Sequence, residues 1–462
     1  MGRPVAILTR QLTVYRRSLE LLRRQLTVEA LLVAFTAVDA VGVVIVLQLA
    51  QAPAVGLADA GLAMAIALFG FWRRGSAAIR GPALAVLVLL LLALPQLVLI
   101  SEQTVNSPLH DGILLTDAAG ERLLAGLDPY GHDYLDSAAR TFYLSDAPVN
   151  FGLRHYVYMP GMIILDLPIR ALAAVTPRAN FSWMFIPGLL ALVVGAWTTG
   201  RTAASGMAAV VAVVLNPLFQ LDYLYFLNDL FFMGPLLLAA GLLIRDRPGW
   251  SGIAFGVALS IKQQAVLLLP LALLYAALKW DGARWFRAAL GAGAVLGAVV
   301  LPFLLWDPRA FLTDTAAFFY GSGVDSYPIR GLGLPGLLVG AGVIPNRWAS
   351  YQATSLLQVF AAVLVLVAAV RDLRKNWAWP RFWAWNAVLA GVVFFFGRVL
   401  APNYLDLIAD FALLALASGL VGEAPVRSVV GDVDGAAGDS RVVREPAQDE
   451  PRDLVIREQG GA

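Results

Sequence analysis

The stretch from His110 to Tyr130 keeps titratable side chains in a chain that is otherwise dominated by apolar segments. Asp117 and Glu121 stand four residues apart at the start of a predicted helix, where the helix dipole favours carboxylates without any catalytic role. Asp111 precedes that helix, and a carboxylate within hydrogen-bond reach of a hydroxyl can act as a general base. The sequence therefore predicts Asp111 as a catalytic base and leaves Asp117 as a rival carboxylate.

The helix inside this stretch is predicted to begin with Thr116 as its N-cap and to end at Gly126. The residues 127–130, Leu-Asp-Pro-Tyr, then turn the chain. Because the surrounding segment 101–156 is rich in Tyr, Leu and Phe, we predict a long ordered loop and not a linker.

Other polar residues that could contact a substrate stand beside later apolar segments. Each has a structural alternative: Lys262 could extend to the membrane interface, Asn228 and Asp229 could cap a helix, and Arg330 could be a turn residue. Cations in this group could bind a phosphate. The predicted substrate-binding residues are His110, Asp117, His155, Tyr156, Tyr158, Asn228, Asp229, Lys262, Gln263, Gln264, Tyr327, Arg330 and Arg398.

The composition is that of a membrane protein. Hydrophobic residues make up 59% of the 462 residues and charged residues 14%, whereas soluble domains carry about a quarter charged residues. The net charge of +2 does not indicate nucleic acid or another polyanion as a partner. Without cysteine there are no thiolate metal sites, and three histidines are too few for several metal sites. We predict neither a metal nor a cofactor.

Apolar runs approaching the roughly 20 residues of a bilayer span predict an all-α transmembrane bundle of about twelve spans. Lys and Arg concentrate on the cytoplasmic side of membrane proteins. This bias places 245–249, 280–287 and 371–381 inside, and the loops 101–156 and 307–349 outside. The predicted spans lie near 27–50, 53–72, 82–100, 181–199, 203–219, 226–244, 249–263, 265–279, 288–306, 350–370, 382–397 and 403–421.

The segment 156–177 is apolar, but it contains Pro160, Asp166, Pro168 and Arg170. Two prolines and two charges are costly in a straight helix facing lipid, whereas a broken or re-entrant segment that lines a cavity tolerates them. We predict that this segment does not cross the membrane.

The chain is predicted to have three regions. Residues 1–26 are basic and amphipathic and indicate a cytoplasmic segment. Residues 27–421 form the transmembrane domain, with its external loop at 101–156. Residues 422–462 have low hydrophobicity and many Gly, Pro and charged residues, which is typical of a disordered tail, here cytoplasmic.

Under this topology the predicted site residues gather on the external face, together with Asp222, Asp325 and Tyr404. Polar groups at membrane depth persist where they line a cavity, so their convergence indicates an active site. Nucleotide sugars and ATP are cytoplasmic, so group transfer outside needs a donor carried across the membrane, such as a polyprenyl-phosphate sugar. Lys262, Arg330 and Arg398 could bind its phosphate.

The motifs around these residues resemble those of a known group. Asp111, TDAAGERLLAGLDPYG, HYVYMP, LNPLF, LND, GVALSIKQQAVLLLP, LPFLLWDP and SYPIRGLG occur in that order. They resemble bacterial GT-C glycosyltransferases, particularly the polyprenol-phosphate-mannose-dependent mannosyltransferases of glycosyltransferase family 87, over roughly residues 80–420. The resemblance implies a GT-C fold, an inverting transfer of mannose or a similar hexose or pentose to a lipid or glycan acceptor, and Asp111 as base or acceptor ligand. It also implies a multi-pass protein of the inner or plasma membrane.

Two other functions fit an amphiphilic cavity with buried charges. One is a transporter or flippase of a lipid-linked saccharide, although transporters commonly show inverted repeats and midplane sites, and this sequence has polar groups on one predicted face. The other is a non-catalytic membrane assembly protein that uses its tail for binding.

Overall fold

The computed structural model describes residues 27–72, 77–101, 110–141, 151–176, 178–321 and 326–421. Within these ranges the elements are helices apart from two strands of two residues each. The prediction of an all-α helical membrane protein is confirmed. The predicted segments 1–26 and 422–462 and the predicted site neighbour Asp325 lie outside the described residues.

The N-terminal helices follow the apolar runs of the sequence. Thr27 caps the first of them, because its hydroxyl accepts a hydrogen bond from the backbone N–H of Ala30 at 3.1 Å. The elements are α1 Val28–Leu49, α2 Pro53–Trp72, α3 Ala77–Val88, a π-helical turn Leu89–Ala93 and α4 Leu94–Ser101.

Helix α5, Asp111–Leu124, begins earlier than predicted. His110 is the N-cap, since its Nδ1 accepts from the backbone N–H of Gly112 at 3.2 Å. Thr116, the predicted N-cap, lies inside the helix and donates to the carbonyl of Gly112 at 2.7 Å. The prediction was wrong because a histidine provides the cap that sequence rules assign to Ser, Thr, Asp or Asn. The predicted end is confirmed, because Gly126 adopts a positive φ of 73° directly after the helix.

The segment predicted not to cross forms one short helix, α6. Pro160 stands in its first turn, where a missing N–H costs nothing. The following elements include two 3-10 segments, Phe181–Met184 and Gln263–Leu268. The helices of this part are α6 Pro160–Ala173, α7 Phe185–Thr199, α8 Ala203–Val213, α9 Pro217–Leu224, α10 Leu230–Ile244, α11 Pro248–Ile261 and α12 Leu269–Lys279.

Two strands of the C-terminal part join loops that are far apart in the chain. In their parallel pairing Arg330 is opposite Val399 and Gly331 opposite Leu400. Gly331 has a φ of +81°, and a Cβ there would meet the carbonyl oxygen of Leu400, so only glycine permits the approach. The elements are α13 Gly282–Val299, α14 Leu301–Trp306, α15 Pro308–Leu312, a π-helical turn Thr313–Ala317, α16 Phe318–Tyr320, β1 Arg330–Gly331, α17 Leu334–Gly340, α18 Ala353–Lys375, α19 Trp379–Phe396, β2 Val399–Leu400 and α20 Pro402–Leu420.

Fewer helices than predicted are individually long and apolar enough to span a membrane. Among the described residues, six helices are long and apolar enough to cross a membrane, or seven if the bent pair α8 and α9 is one span. Helices α10 and α11 and the stretch Gln263–Lys279 are apolar but shorter than 18 residues. The count of twelve therefore stays a prediction.

The bundle has two chemically different ends. At one end, Asp246 forms an ion pair with Arg284 at 3.2 Å and accepts a hydrogen bond from the indole of Trp280. Trp280 and Trp377 both contact the ring of Tyr275 there, so the three loops predicted to be cytoplasmic lie together. Helices α10 and α11 run roughly 20 Å from this basic end to the other one.

Candidate active site

A cavity of about 650 Å³ occupies the end of the bundle opposite the basic loops. It is bounded by the N-cap of α5, the chain before α6, the α9–α10 turn, the break between α11 and α12, and the loops joined by β1 and β2. Its polar lining residues are His110, Tyr158, Asp222, Tyr225, Asn228, Asp229, Lys262, Gln263, Gln264, Tyr327, Arg330, Asn403 and Tyr404.

Most of the predicted substrate-binding residues meet at this cavity. Nine of them contribute to its wall, although the sequence separates the first from the last by more than two hundred residues. They are His110, Tyr158, Asn228, Asp229, Lys262, Gln263, Gln264, Tyr327 and Arg330.

Lys262 reaches the cavity because the chain leaves helical geometry at this residue. Its φ of −151° and ψ of 131° are extended, so α11 ends before it and the 3-10 segment starts after it. The ammonium donates to Asp229 Oδ1 at 2.7 Å and to Asn228 Oδ1 at 3.0 Å. Asn403 donates to the second Asp229 oxygen at 2.6 Å. Lys262 and Asp229 therefore neutralise each other within the cavity wall.

The turn between α9 and α10 carries the carboxyl groups of the wall. Phe226 adopts a positive φ of 59°, which is a strained conformation for an aromatic residue, and its ring packs edge-on against Phe185. This turn brings Asp222, near the end of α9, and Asp229, before α10, to the same cavity.

Arg330 is the second cation of the cavity. It is half-buried, and no carboxylate of the described residues lies within ion-pair distance of its guanidinium. Its side chain interacts with Tyr327, and its backbone N–H donates to the carbonyl of Arg398 at 3.2 Å. Arg330 is thus a positioned guanidinium that faces the cavity without a counter-ion in the described part of the chain.

Asp111, the predicted base, lies beside the cavity wall at the first position of α5. Its Oδ1 is 3.0 Å from His110 Nδ1, and its side chain is 19% exposed. That nitrogen either accepts from Gly112 or donates to Asp111, according to its tautomer. Burial first and the Asp111 carboxylate second raise the pKa of Tyr158 and of Tyr327, which places Asp111 near both phenols.

Asp117 does not line the cavity. Its carboxyl is 2.5 Å from the guanidinium of Arg170 and accepts from the backbone N–H of Phe181 at 2.9 Å. Arg170 also pairs with Asp166 at 3.2 Å and with Glu121 at 3.1 Å. We call Asp117, Glu121, Asp166 and Arg170 the α5–α6 clasp. Burial, and then the negative charge of Asp166, raise the pKa of Asp117 to about 8, although Arg170 opposes this.

His155 and Tyr156 are also placed outside the cavity. His155 Nδ1 lies 2.7 Å from Asp314 Oδ1, and Gly131 N donates to the other Asp314 oxygen at 2.8 Å. Tyr156 is fully buried in an aromatic core with Tyr130 and Tyr134. These contacts hold the loop that follows α5 against the π-helical turn Thr313–Ala317, which carries Asp314.

Arg398 lies behind the cavity wall. Its guanidinium donates to the backbone carbonyls of Tyr327 and, at 2.7 Å, of Ala349, and it lines a smaller neighbouring cavity of about 90 Å³. Burial lowers the pKa of Arg398 to about 10. Its contacts position the loop that carries Tyr327 and Arg330.

The sequence contained no indication of two residues of this region, Asn403 and Asp314. Asn403 follows Pro402 at the start of α20 and donates to a carboxylate oxygen of Asp229. Asp222, which the sequence placed on the external face without assigning it a role, lines the cavity. Asp314 is a lone acid in the stretch LTDTAAFF, and nothing local indicates its partners. No group of three or more His, Asp or Glu residues able to hold a metal ion occurs in the described ranges.

Fold and cavity together define a helical membrane protein with a polar chamber enclosed by its helices at one end. The sequence model of glycosyltransferase family 87 matches residues 156–402, which is more than half of the chain. The chain belongs to glycosyltransferase family 87, as the order of its motifs predicted. No curated protein and no solved structure gave a significant match.

The family match includes most of the cavity. Tyr158, the α9–α10 turn, the Lys262 break and the loops of β1 and β2 all fall within it, whereas His110 and Asp111 precede it. A glycosyltransferase uses a sugar donor and an acceptor, so the cavity is the candidate place where the two meet.

Proposed function

We propose that this membrane glycosyltransferase transfers mannose or a similar hexose or pentose from a polyprenyl-phosphate donor to a lipid or glycan acceptor on the external face of the inner or plasma membrane. The observation that carries this proposal is Arg330, a guanidinium that lines a polar cavity among apolar helices and has no counter-ion among the described residues. A polyprenyl chain fits the apolar surroundings, and its phosphate needs such a cation.

The contacts favour Arg330 over Lys262 as the main phosphate ligand. The ammonium of Lys262 is already paired with Asp229, whereas guanidinium groups bind phosphate oxygens in a bidentate manner. Arg398 is the other predicted phosphate ligand. Its guanidinium donates hydrogen bonds to the backbone carbonyls of Tyr327 and Ala349 and so supports the loop that carries Arg330. We propose that Lys262 supports the wall and that Arg398 supports Arg330.

In the proposed reaction the acceptor hydroxyl oxygen attacks the anomeric carbon of the sugar. The bond from that carbon to the phosphate oxygen breaks, and polyprenyl phosphate leaves with the electron pair. Asp111 takes the proton of the hydroxyl. Its place in the first turn of α5 favours the ionised carboxylate, which is the form that accepts a proton.

The external location is supported by the charge distribution of the bundle. Arg201, Arg245, Arg284 and neighbouring basic residues lie at the end opposite the cavity. Because basic loops concentrate on the cytoplasmic side, the cavity would face outward. The chain lacks cysteine, so single-cysteine labelling tests this directly. An impermeant maleimide should label Leu127→Cys and not Arg247→Cys in intact cells, and labelling of position 247 would refute the orientation.

The functional test compares two carboxylates of the same helix in a purified assay with polyprenyl-phosphate mannose. We expect Asp111→Asn to lower turnover by about two to four orders of magnitude, because a general base typically contributes that much. Asp117→Asn is the matched control and should retain most activity, since the raised pKa of Asp117 already favours its neutral form. Normal turnover of the Asp111→Asn enzyme would exclude the proposed base.

A further inference from the structure

Among the described residues, Asp222 is the cavity carboxyl group that has no hydrogen-bond or ion-pair partner. The other cavity carboxylate among the described residues, Asp229, is fully engaged, because Lys262 binds one oxygen and Asn403 the other. Asp222 is only 4% exposed, its Oδ2 is buried without a hydrogen-bond partner, and its side chain bonds to no other described residue. A buried polar group of this kind is normally satisfied by a partner that the protein alone does not supply.

The surroundings of Asp222 contain more acids than bases. Asp406 and Asp410, one turn apart on α20, both accept from the amide of Asn216, at 2.8 Å and 3.2 Å. Asp406 and Asp410 are fully enclosed, and Lys262, the one base near this group in the described chain, is committed to Asp229. A carboxyl group that is enclosed without a counter-ion is held as the neutral acid, because an isolated buried carboxylate is too costly.

A neutral carboxylic acid offers one O–H donor and one carbonyl acceptor, which together match a sugar hydroxyl. Three other polar residues of the cavity wall are also closed off from solvent, since Asn228, Gln264 and Tyr404 are all at most 7% exposed. In contrast, Tyr225 on the open side of the cavity is 44% exposed. The closed part suits the sugar of the donor, which must be held away from water, and the open part suits the entering acceptor.

We propose that Asp222 binds a hydroxyl group of the transferred sugar as a neutral carboxylic acid and thereby positions the donor and contributes to sugar specificity. This inference rests on the proposed function, because it presupposes a sugar-phosphate donor in the cavity. It assigns to Asp222 a binding role and leaves proton abstraction to Asp111.

The test compares Asp222→Asn with Asp222→Ala, and uses Leu218→Ala on the outer side of α9 as the control. Asparagine retains a carbonyl acceptor and offers N–H donors in place of the O–H, so the Asn variant should keep most of the kcat/KM for polyprenyl-phosphate mannose. The Ala variant should lose about ten- to hundredfold, mainly through the KM for the donor, because a hydroxyl group would lose its partner. Equal loss in the Asn and Ala variants would show that a negative charge is required and would overturn the inference.

Thermal stabilisation separates this inference from the proposed function. The purified wild-type protein should be stabilised by polyprenyl phosphate and further by polyprenyl-phosphate mannose. The Asp222→Ala protein should keep the first effect and lose the added effect of the sugar. If it keeps both, Asp222 does not bind the sugar, whereas the donor class stands. If the wild type responds to neither compound, the proposed donor is wrong and this inference falls with it.

Discussion

Two clusters of this protein combine several acids with a single base: the α5–α6 clasp around Arg170, and the cavity cluster, by which we mean Asp222, Asp229 and Lys262. In the α5–α6 clasp, Arg170 contacts all three acids, and the carboxyl of Asp166 fills the space above Gly120, where a Cβ would lie 2.2 Å from its Oδ2. In the cavity cluster, Lys262 pairs with Asp229 and leaves Asp222 facing a chamber of about 650 Å³. The clasp is a closed contact between two helices, whereas the cavity cluster has room for a substrate.

The difference shows that the type of a residue does not identify an active site. Asp117 and Asp229 are both acids that contact a basic residue, yet only Asp229 has its neighbours arranged around open space. We therefore expect changes in the clasp to affect folding stability and changes in the cavity cluster to affect substrate binding.

The largest effect is expected when the base of the clasp is removed. Arg170→Leu leaves Asp117 and Asp166 buried without a cation, which typically costs about 3–5 kcal/mol of unfolding free energy. Denaturation in detergent should show this loss, while the folded fraction should turn over donor at nearly the wild-type rate. Arg178→Leu, at an exposed arginine nearby, is the control and should change little. A stable Arg170→Leu protein without activity would place the clasp in the site.

Removing the cavity cation Arg330 is expected to have a smaller effect, and this effect is on donor binding and not on stability. Arg330→Ala should weaken donor binding by roughly one to two orders of magnitude, because a charge-assisted hydrogen bond contributes about 1.5–3 kcal/mol. Competition by polyprenyl phosphate without sugar should weaken by the same factor, since the lost contact is to the phosphate. Arg309→Ala changes an exposed arginine outside the cavity and serves as the control. Unchanged donor affinity in the Arg330 variant would remove it from the site.

A double substitution tests whether Lys262 supports the cavity wall or binds the donor phosphate directly. Lys262→Met leaves Asp229 unpaired, and adding Asp229→Asn should restore part of the donor affinity if the pair mainly supports the wall. Coupling between contacting residues is typically about 0.5–3 kcal/mol, so a double-mutant cycle of donor affinities can resolve it. If Lys262 binds the phosphate directly, as the sequence alone predicted, the second change restores nothing.

A pH dependence of stability is also expected to arise in the clasp. The folded protein raises the pKa of Asp117 from its usual 3.8 to about 8, so the folded state binds this proton more tightly than the unfolded state. The contribution of this group to stability is therefore present at low pH and decreases as the pH rises through that window. Asp117→Asn should flatten this part of the profile in unfolding measurements from pH 5 to pH 9. An unchanged slope would contradict the assigned protonation.

The sequence predicted the class of fold and most of the cavity wall, because apolar runs and polar interruptions are local features. Lys262, Asn228 and Arg330 interrupt apolar stretches, and all three line the cavity. Pairing partners are not local, so the contacts of Asp117 with Arg170 and of His155 with Asp314 could not be predicted. The start of α5 was predicted wrongly for a similar reason, since a histidine cap is recognised only from its contact with the Gly112 N–H.

We propose that the donor binds in the cavity with its phosphate at Arg330 and its reacting carbon near Asp111. Electron cryo-microscopy of the Asp111→Asn protein with polyprenyl-phosphate mannose tests this most directly, because that variant should bind the donor without turning it over. We expect phosphate oxygens roughly 3 Å from the Arg330 guanidinium, a sugar hydroxyl at Asp222 and the polyprenyl chain between apolar helices. Density for the donor at the α5–α6 clasp, or at the basic end of the bundle, would contradict it.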